Sequence, residues 1–127
     1  MPFTEEMDLE DLIGPLPAPL GRWLLRRMVA SGVRYGRGFA VMLVRGAEPD
    51  GLAAVLRGAD VFAAYDGGDL LALLPDTDPI GADRAADRVR TATGARVGTA
   101  HWCGDVAEDL LARAARALAA DAGQPAA

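Results

Sequence analysis

The stretch that most constrains the fold is Arg57–Pro75, RGADVFAAYDGGDLLALLP. Two short apolar runs, Val61–Tyr65 and Asp69–Leu74, flank Asp66-Gly67-Gly68. Runs of that length are strand-sized, and glycine accepts the positive φ that a tight hairpin turn demands. The stretch predicts a β-hairpin at the centre of a small domain of helices and strands.

The flanking elements follow from periodicity. Leu20–Ser31 predicts an amphipathic helix, with Leu20, Trp23, Leu24, Met28 and Val29 inward and Arg22, Arg26 and Arg27 on a solvated face. Gly32–Gly38 is Gly-rich but follows a helix and precedes a strand, the reverse of a dinucleotide-binding fingerprint, so it reads as a connection. Phe39–Arg45 is apolar almost throughout, as a strand in a sheet covered by helices must be. Asp50–Arg57 predicts a helix of about two turns. After the hairpin, Asp78 as N-cap and Pro79 at the first helical position start a helix through Ile80–Thr93, closed by Gly94. Its inward positions are Ala82, Ala85, Ala86, Val89 and Ala92. Ala95–Trp102 predicts a fourth strand, with Gly98 marking a bulge or a close approach. Asp105 and Glu108 have capping-box spacing and open a last helix to about Asp121, which buries Leu110, Leu111, Ala114 and Leu118. Gly123 and the Pro-Ala tail stop it. The order α-β-α-β-β-α-β-α contains a β-α-β-β-α-β core. That is the ferredoxin-like α+β arrangement, an antiparallel sheet with helices on one face, here with an N-terminal and a C-terminal helix added.

A chain of 127 residues supports one core, and 51 % hydrophobic residues exclude intrinsic disorder outside the ends. We divide it into an acidic tail over Met1–Asp11, a domain over Leu12–Gly123 and a short tail, Gln124–Ala127. Leu12–Pro19 holds three prolines and predicts an extended loop. The net charge of −5, without a dense Arg run, argues against a nucleic-acid polymer as partner. The lone Cys103 fits a reducing compartment. No apolar run reaches the ~20 residues of a membrane span, and the acidic start is unlike a signal peptide. The expected location is cytoplasmic.

The same stretch resembles the signature region of GGDEF domains, the family of diguanylate cyclases and their inactive relatives. Their pattern is RxxD, five residues, GG(D/E)EF, then an apolar strand ending near Pro. Arg57-Gly58-Ala59-Asp60 falls on RxxD, and Asp66-Gly67-Gly68-Asp69-Leu70 on the signature, in degenerate form. Leu71–Pro75 falls on the strand. The strand RVGTA and the helix LLARAARALAADAG resemble the family's SIGVA and LLxxADxALYxAKxxG. Near the start, DLIGPLPAPLGR loosely resembles the family's D-x-LTGLxNR.

The resemblance implies a GGDEF-like fold but not cyclase chemistry. Diguanylate cyclases join two GTP molecules by phosphoryl transfer helped by two metal ions. Those metals need a carboxylate at the end of the first strand, where this chain has Arg45, and another in the signature, where Asp69 stands but Gly68 replaces the acid before it. The family's longer segment over the guanine base is reduced here to Gly46–Leu56. No enzymatic activity, no metal and no cofactor are expected.

What the resemblance does imply is ligand binding, because RxxD is the family's inhibitory site for cyclic di-GMP. An arginine can fork onto guanine O6 and N7 or onto phosphate, and a carboxylate can accept from the guanine N1–H and N2–H₂ edge. Arg57 and Asp60 would supply these contacts, with Arg84 or Arg88 from the following helix adding charge; Arg90 is a further candidate. The competing expectation is a protein-interaction module, possible as a homodimer, with Trp23, Tyr35, Tyr65 or Trp102 as anchors. His101, Cys103 and Asp105 fall short of a zinc set, and Ser31 with His101 offers no triad. Asp76, Asp78, Asp83 and Asp87 are explained by capping and by a solvated helix face.

Overall fold

The computed structural model describes residues 15–121, so Met1–Asp11, Gly123 and the tail Gln124–Ala127 lie outside the described residues. The chain runs through α1 (Ala18–Tyr35), β1 (Phe39–Arg45), α2 (Pro49–Ala53), β2 (Val61–Ala64), β3 (Leu70–Pro75), α3 (Pro79–Thr93), β4 (Arg96–His101) and α4 (Ala107–Ala120). The hairpin is β2–β3, closed by a single 3₁₀ turn over Asp66–Gly68. Tyr65 N donates to Asp69 O at 2.9 Å, and Gly67 and Gly68 have φ of 66° and 84°. Both values lie where a Cβ is disfavoured, which is why this turn needs two glycines.

The sheet order is β2-β3-β1-β4, antiparallel throughout. This is the ferredoxin-like order expected of the β-α-β-β-α-β core. Residues alternate strictly along β1. Ala40, Met42 and Val44 join Leu52 of α2 and Ala82, Ala85, Ala86 and Val89 of α3. Phe39, Val41 and Leu43 join Leu25 of α1 and Leu110, Leu111, Ala114 and Leu118 of α4. The core helices α2 and α3 hold one face, and the added helices α1 and α4 cover the other. A centre strand between two cores has no polar face, hence the unbroken apolar run.

Two expectations change slightly: α2 stops at Ala53 rather than reaching Arg57, and Ala92 of α3 is exposed rather than inward. Three others change more. First, α1 is longer and rotated. Leu25 is fully buried, and Gly21 and Gly32 lie against Ala63 and Trp102, whereas Trp23 is 53 % and Leu20 40 % exposed. Pro19 sits in its first turn; of the expected loop, 12–14 lie outside the described residues and 15–17 are extended, with Leu16 pairing with the β2 edge (Leu16 N to Phe62 O, 3.0 Å). Second, two of the helix's solvated arginines are tied down. Arg22 donates to both oxygens of Asp66 at 3.2 Å, and Arg26 donates to Glu108 at 3.4 Å.

Third, Asp105 does not cap α4. The N-cap is Val106, without a side-chain bond. Asp105 instead accepts from Arg113 Nε at 2.9 Å and from Cys103 N at 3.3 Å, while Arg113 also donates to the His101 carbonyl at 2.6 Å. Burial pushes the Asp105 carboxyl up, but the bonds from Arg113 and the backbone amides outweigh it and hold the group below its ordinary value. A carboxyl whose folded pKa is depressed stabilises the fold above its unfolded pKa, about 4, and that stabilisation is lost as pH falls through the folded value. Asp105→Asn should therefore lower the melting temperature at pH 7 and lose less than the parent between pH 5 and pH 2. Equal acid sensitivity of the two proteins, read by circular dichroism, would contradict this.

No helix among the described residues is long and apolar enough to cross a membrane.

Candidate ligand site

The β2 entrance and the β3 exit bring the candidate residues to one end of the sheet. Arg57 lies just before β2 and reaches across to the turn after β3. Its Nη2 donates to Thr77 Oγ1 at 2.7 Å and to Pro75 O at 3.5 Å, and Thr77 Oγ1 donates to Pro75 O at 2.9 Å. Asp60 turns back on Arg57. Its Oδ2 accepts from the Arg57 amide at 2.9 Å and its Oδ1 from Arg57 Nη2 at 3.4 Å. The Asp60 side chain is 1 % exposed against 55 % for Arg57. The carboxylate thus fixes the guanidinium, which alone of the two faces outward.

Arg57 opens onto a concavity of about 260 Å³, also lined by Asp76, Thr77, Asp78, Gly81, Arg84 and Arg88. Arg84 and Arg88 stand one turn apart on α3 and so point the same way. Neither has an ion-pair or hydrogen-bond partner among the described residues. Arg90, on another face, is held by Asp87 at 2.9 Å and Asp121 at 3.1 Å and does not line the hollow. Asp78 is engaged as the α3 N-cap, accepting from Gly81 N at 2.6 Å. Sequence reasoning does not single out Thr77. Its only signal is the turn cluster Asp76-Thr77-Asp78-Pro79, which by itself marks a helix start.

At the opposite end of β3 stand Asp66–Leu70, the stretch that the resemblance places on the signature. In the β1–β3 register Val44 faces Leu70, which places Arg45 opposite Asp69. Arg45 Nε and Nη2 donate to the two Asp69 oxygens at 3.0 Å each. The hydrogen bond and charge of Asp69 raise the Arg45 pKa above its ordinary value. Asp69 is 7 % exposed, so its carboxylate depends on this fork. Asp66, the other signature acid, accepts from Arg22, whose guanidinium also lies 5.1 Å from the Tyr65 ring centroid. Burial pushes the Tyr65 phenol above its ordinary range, with Arg22 opposing. Among the described residues no group of three or more His, Cys, Asp or Glu is arranged to hold a metal.

Several solved structures share this architecture. The GGDEF domain of TpbB (YfiN) from Pseudomonas aeruginosa superposes with a TM-score of 0.74 at 18 % identity, over 85 % of this chain and 84 % of that one. This chain has the GGDEF-domain fold. The diguanylate cyclase SiaD of the same organism, solved with its activator SiaC, gives 0.73 at 18 % identity over 81 % of this chain and 53 % of that chain. The coiled coil and GGDEF domain of DgcB from Caulobacter crescentus, solved with c-di-GMP, gives 0.69 at 13 % identity over 86 % and 77 %. No family model and no curated protein matches the chain by sequence. The GGDEF fold therefore persists here on a core pattern that shares fewer than one residue in five with these structures.

Proposed function

We propose that this chain is a non-catalytic GGDEF-fold signalling domain that binds cyclic di-GMP in the Arg57–Arg84–Arg88 concavity. The observation that carries the reading is the pair of unpartnered guanidinium groups, Arg84 and Arg88, lining the same hollow as Arg57. Three guanidinium groups line the hollow against two carboxylates, Asp76 and Asp78, and Arg84 and Arg88 keep their donors free among the described residues for an anion to accept from. Cyclic di-GMP offers two phosphates and two guanine O6/N7 edges, and the arginine fork fits either. Solved GGDEF domains holding this dinucleotide support the choice of ligand.

The absence of catalysis is supported by the Arg45–Asp69 fork. A cyclase metal would need oxygen ligands at this place. Here one of the two family positions is a guanidinium, and both oxygens of the other already accept from it. The residues do not fit a divalent cation. Purified protein incubated with GTP and Mg²⁺ or Mn²⁺ should form no cyclic di-GMP; accumulation of product above a protein-free control would overturn this half of the proposal.

A second reading, nucleotide-independent docking of a protein or of a second copy, is favoured by the exposure of Trp23, Val33 and Tyr35 on α1. Trp102 and Tyr65, the other aromatic candidates, pack on the core instead.

A further inference from the structure

The three arginines of the concavity can only donate. They suit phosphate and the O6/N7 edge of a guanine, but not its N1–H and N2–H₂ groups, which need an acceptor. Recognition of guanine over adenine turns on that edge, because adenine presents an acceptor at N1. Asp60, the acceptor expected from sequence, is buried and already receives the Arg57 amide and guanidinium. Asp78 holds the Gly81 amide on Oδ1, which leaves it one oxygen and not the two that a paired N1–H and N2–H₂ edge calls for. One carboxylate lining the hollow remains. Asp76 is exposed and has no hydrogen-bond or ion-pair partner among the described residues. It is also the one non-glycine residue at positive φ (49°) among them. Such a conformation is unfavourable for a residue with a Cβ, and it is often retained where it aims a side chain at a ligand. Asp76 also forms the wall shared with an adjoining hollow of about 110 Å³ that includes Ser31, Arg37 and Phe39.

Resting on the ligand reading above, we propose that Asp76, rather than Asp60, reads the guanine edge. Its carboxylate accepts from N1–H and N2–H₂ of a base seated in the concavity, while Arg57, Arg84 and Arg88 take the phosphate and the O6/N7 edge. Asp60 is then a positioning residue that holds Arg57 outward. Against adenine the same carboxylate would face a lone pair, so Asp76 sets selectivity as well as affinity.

Two substitutions separate this role from a structural one. Asp76→Asn keeps the shape and tolerates positive φ but replaces one acceptor oxygen with a donor. Asp76→Gly removes the side chain and relieves the backbone. Calorimetric titration of cyclic di-GMP and cyclic di-AMP into the full chain should show a clear preference for the guanine ligand. Both variants should weaken cyclic di-GMP binding by about 10- to 100-fold and narrow the preference, with melting temperatures equal to the parent or, for Asp76→Gly, higher. Parent-like affinity and preference in both variants, with binding still lost in Arg88→Ala, would overturn the role of Asp76 and leave the concavity intact. A parent that binds neither dinucleotide would overturn the two proposals together.

Discussion

Replacing Gly98 with valine is expected to destabilise the domain by about 3 kcal/mol or more, enough to unfold a large share of a marginally stable chain. Gly98 lies in β4, where α4 crosses the sheet. A Cβ built there would overlap the backbone of Ala114 and Leu118. Flexible side-chain ends can move aside, but a helix backbone cannot shift without taking its side chains with it. Here that means lifting Leu110, Leu111, Ala114 and Leu118 off Phe39, Val41 and Leu43, which is half of the core. Gly58→Ala is the control, since a Cβ there meets open space and φ is not positive; it should stay within about 0.5 kcal/mol. Urea titration reads both. A Gly98→Val midpoint close to the parent's would mean that α4 does not need this close approach.

The second large effect is on ligand affinity, and the choice of arginine decides what is learned. Arg57→Ala removes the bonds to Thr77, Pro75 and Asp60 and leaves a buried carboxylate with the backbone amide alone, so stability and binding should fall together. Arg88 has no partner to lose among the described residues. Arg88→Ala should weaken cyclic di-GMP by about 10- to 100-fold, the range for a charge-assisted bond, with an unchanged melting temperature. A drop in both quantities would instead give Arg88 a structural role that the exposed helix face does not suggest.

The elements legible in the sequence are those set by near neighbours. The Asp-Gly-Gly turn, the Asp78–Pro79 helix start and the apolar β1 all rest on contacts within a few residues or on a strict alternation. The close approach at Gly98 is also legible, because a glycine inside a strand weakens it unless a bulge or a neighbouring backbone requires the missing side chain. What is not legible depends on which strands become neighbours. The Arg45–Asp69 fork exists because β1 pairs with β3 in one register, and a shift of one residue would send the two side chains to opposite faces. The rotation of α1, which exposes Trp23, comes from Gly21 and Gly32 letting the helix approach Ala63 and Trp102, a fit that hydrophobicity alone does not reveal. Asp105 carries a capping-box spacing, yet Arg113, two turns into the helix, competes for the carboxylate and wins because its guanidinium brings a full opposite charge and bonds both oxygens. In the concavity, Arg84 and Arg88 are identifiable from helical spacing. The burial of Asp60 is not, since it depends on a side chain folding back onto its own loop.

Calorimetric titration of cyclic di-GMP into the purified chain, beside Arg88→Ala and a GTP control, tests the central claim most directly. Saturable binding at micromolar concentration or tighter is expected, markedly weaker in the variant, and weaker with GTP, which offers one guanine edge where cyclic di-GMP offers two. A folded parent that gives no heat at high ligand concentration would contradict it.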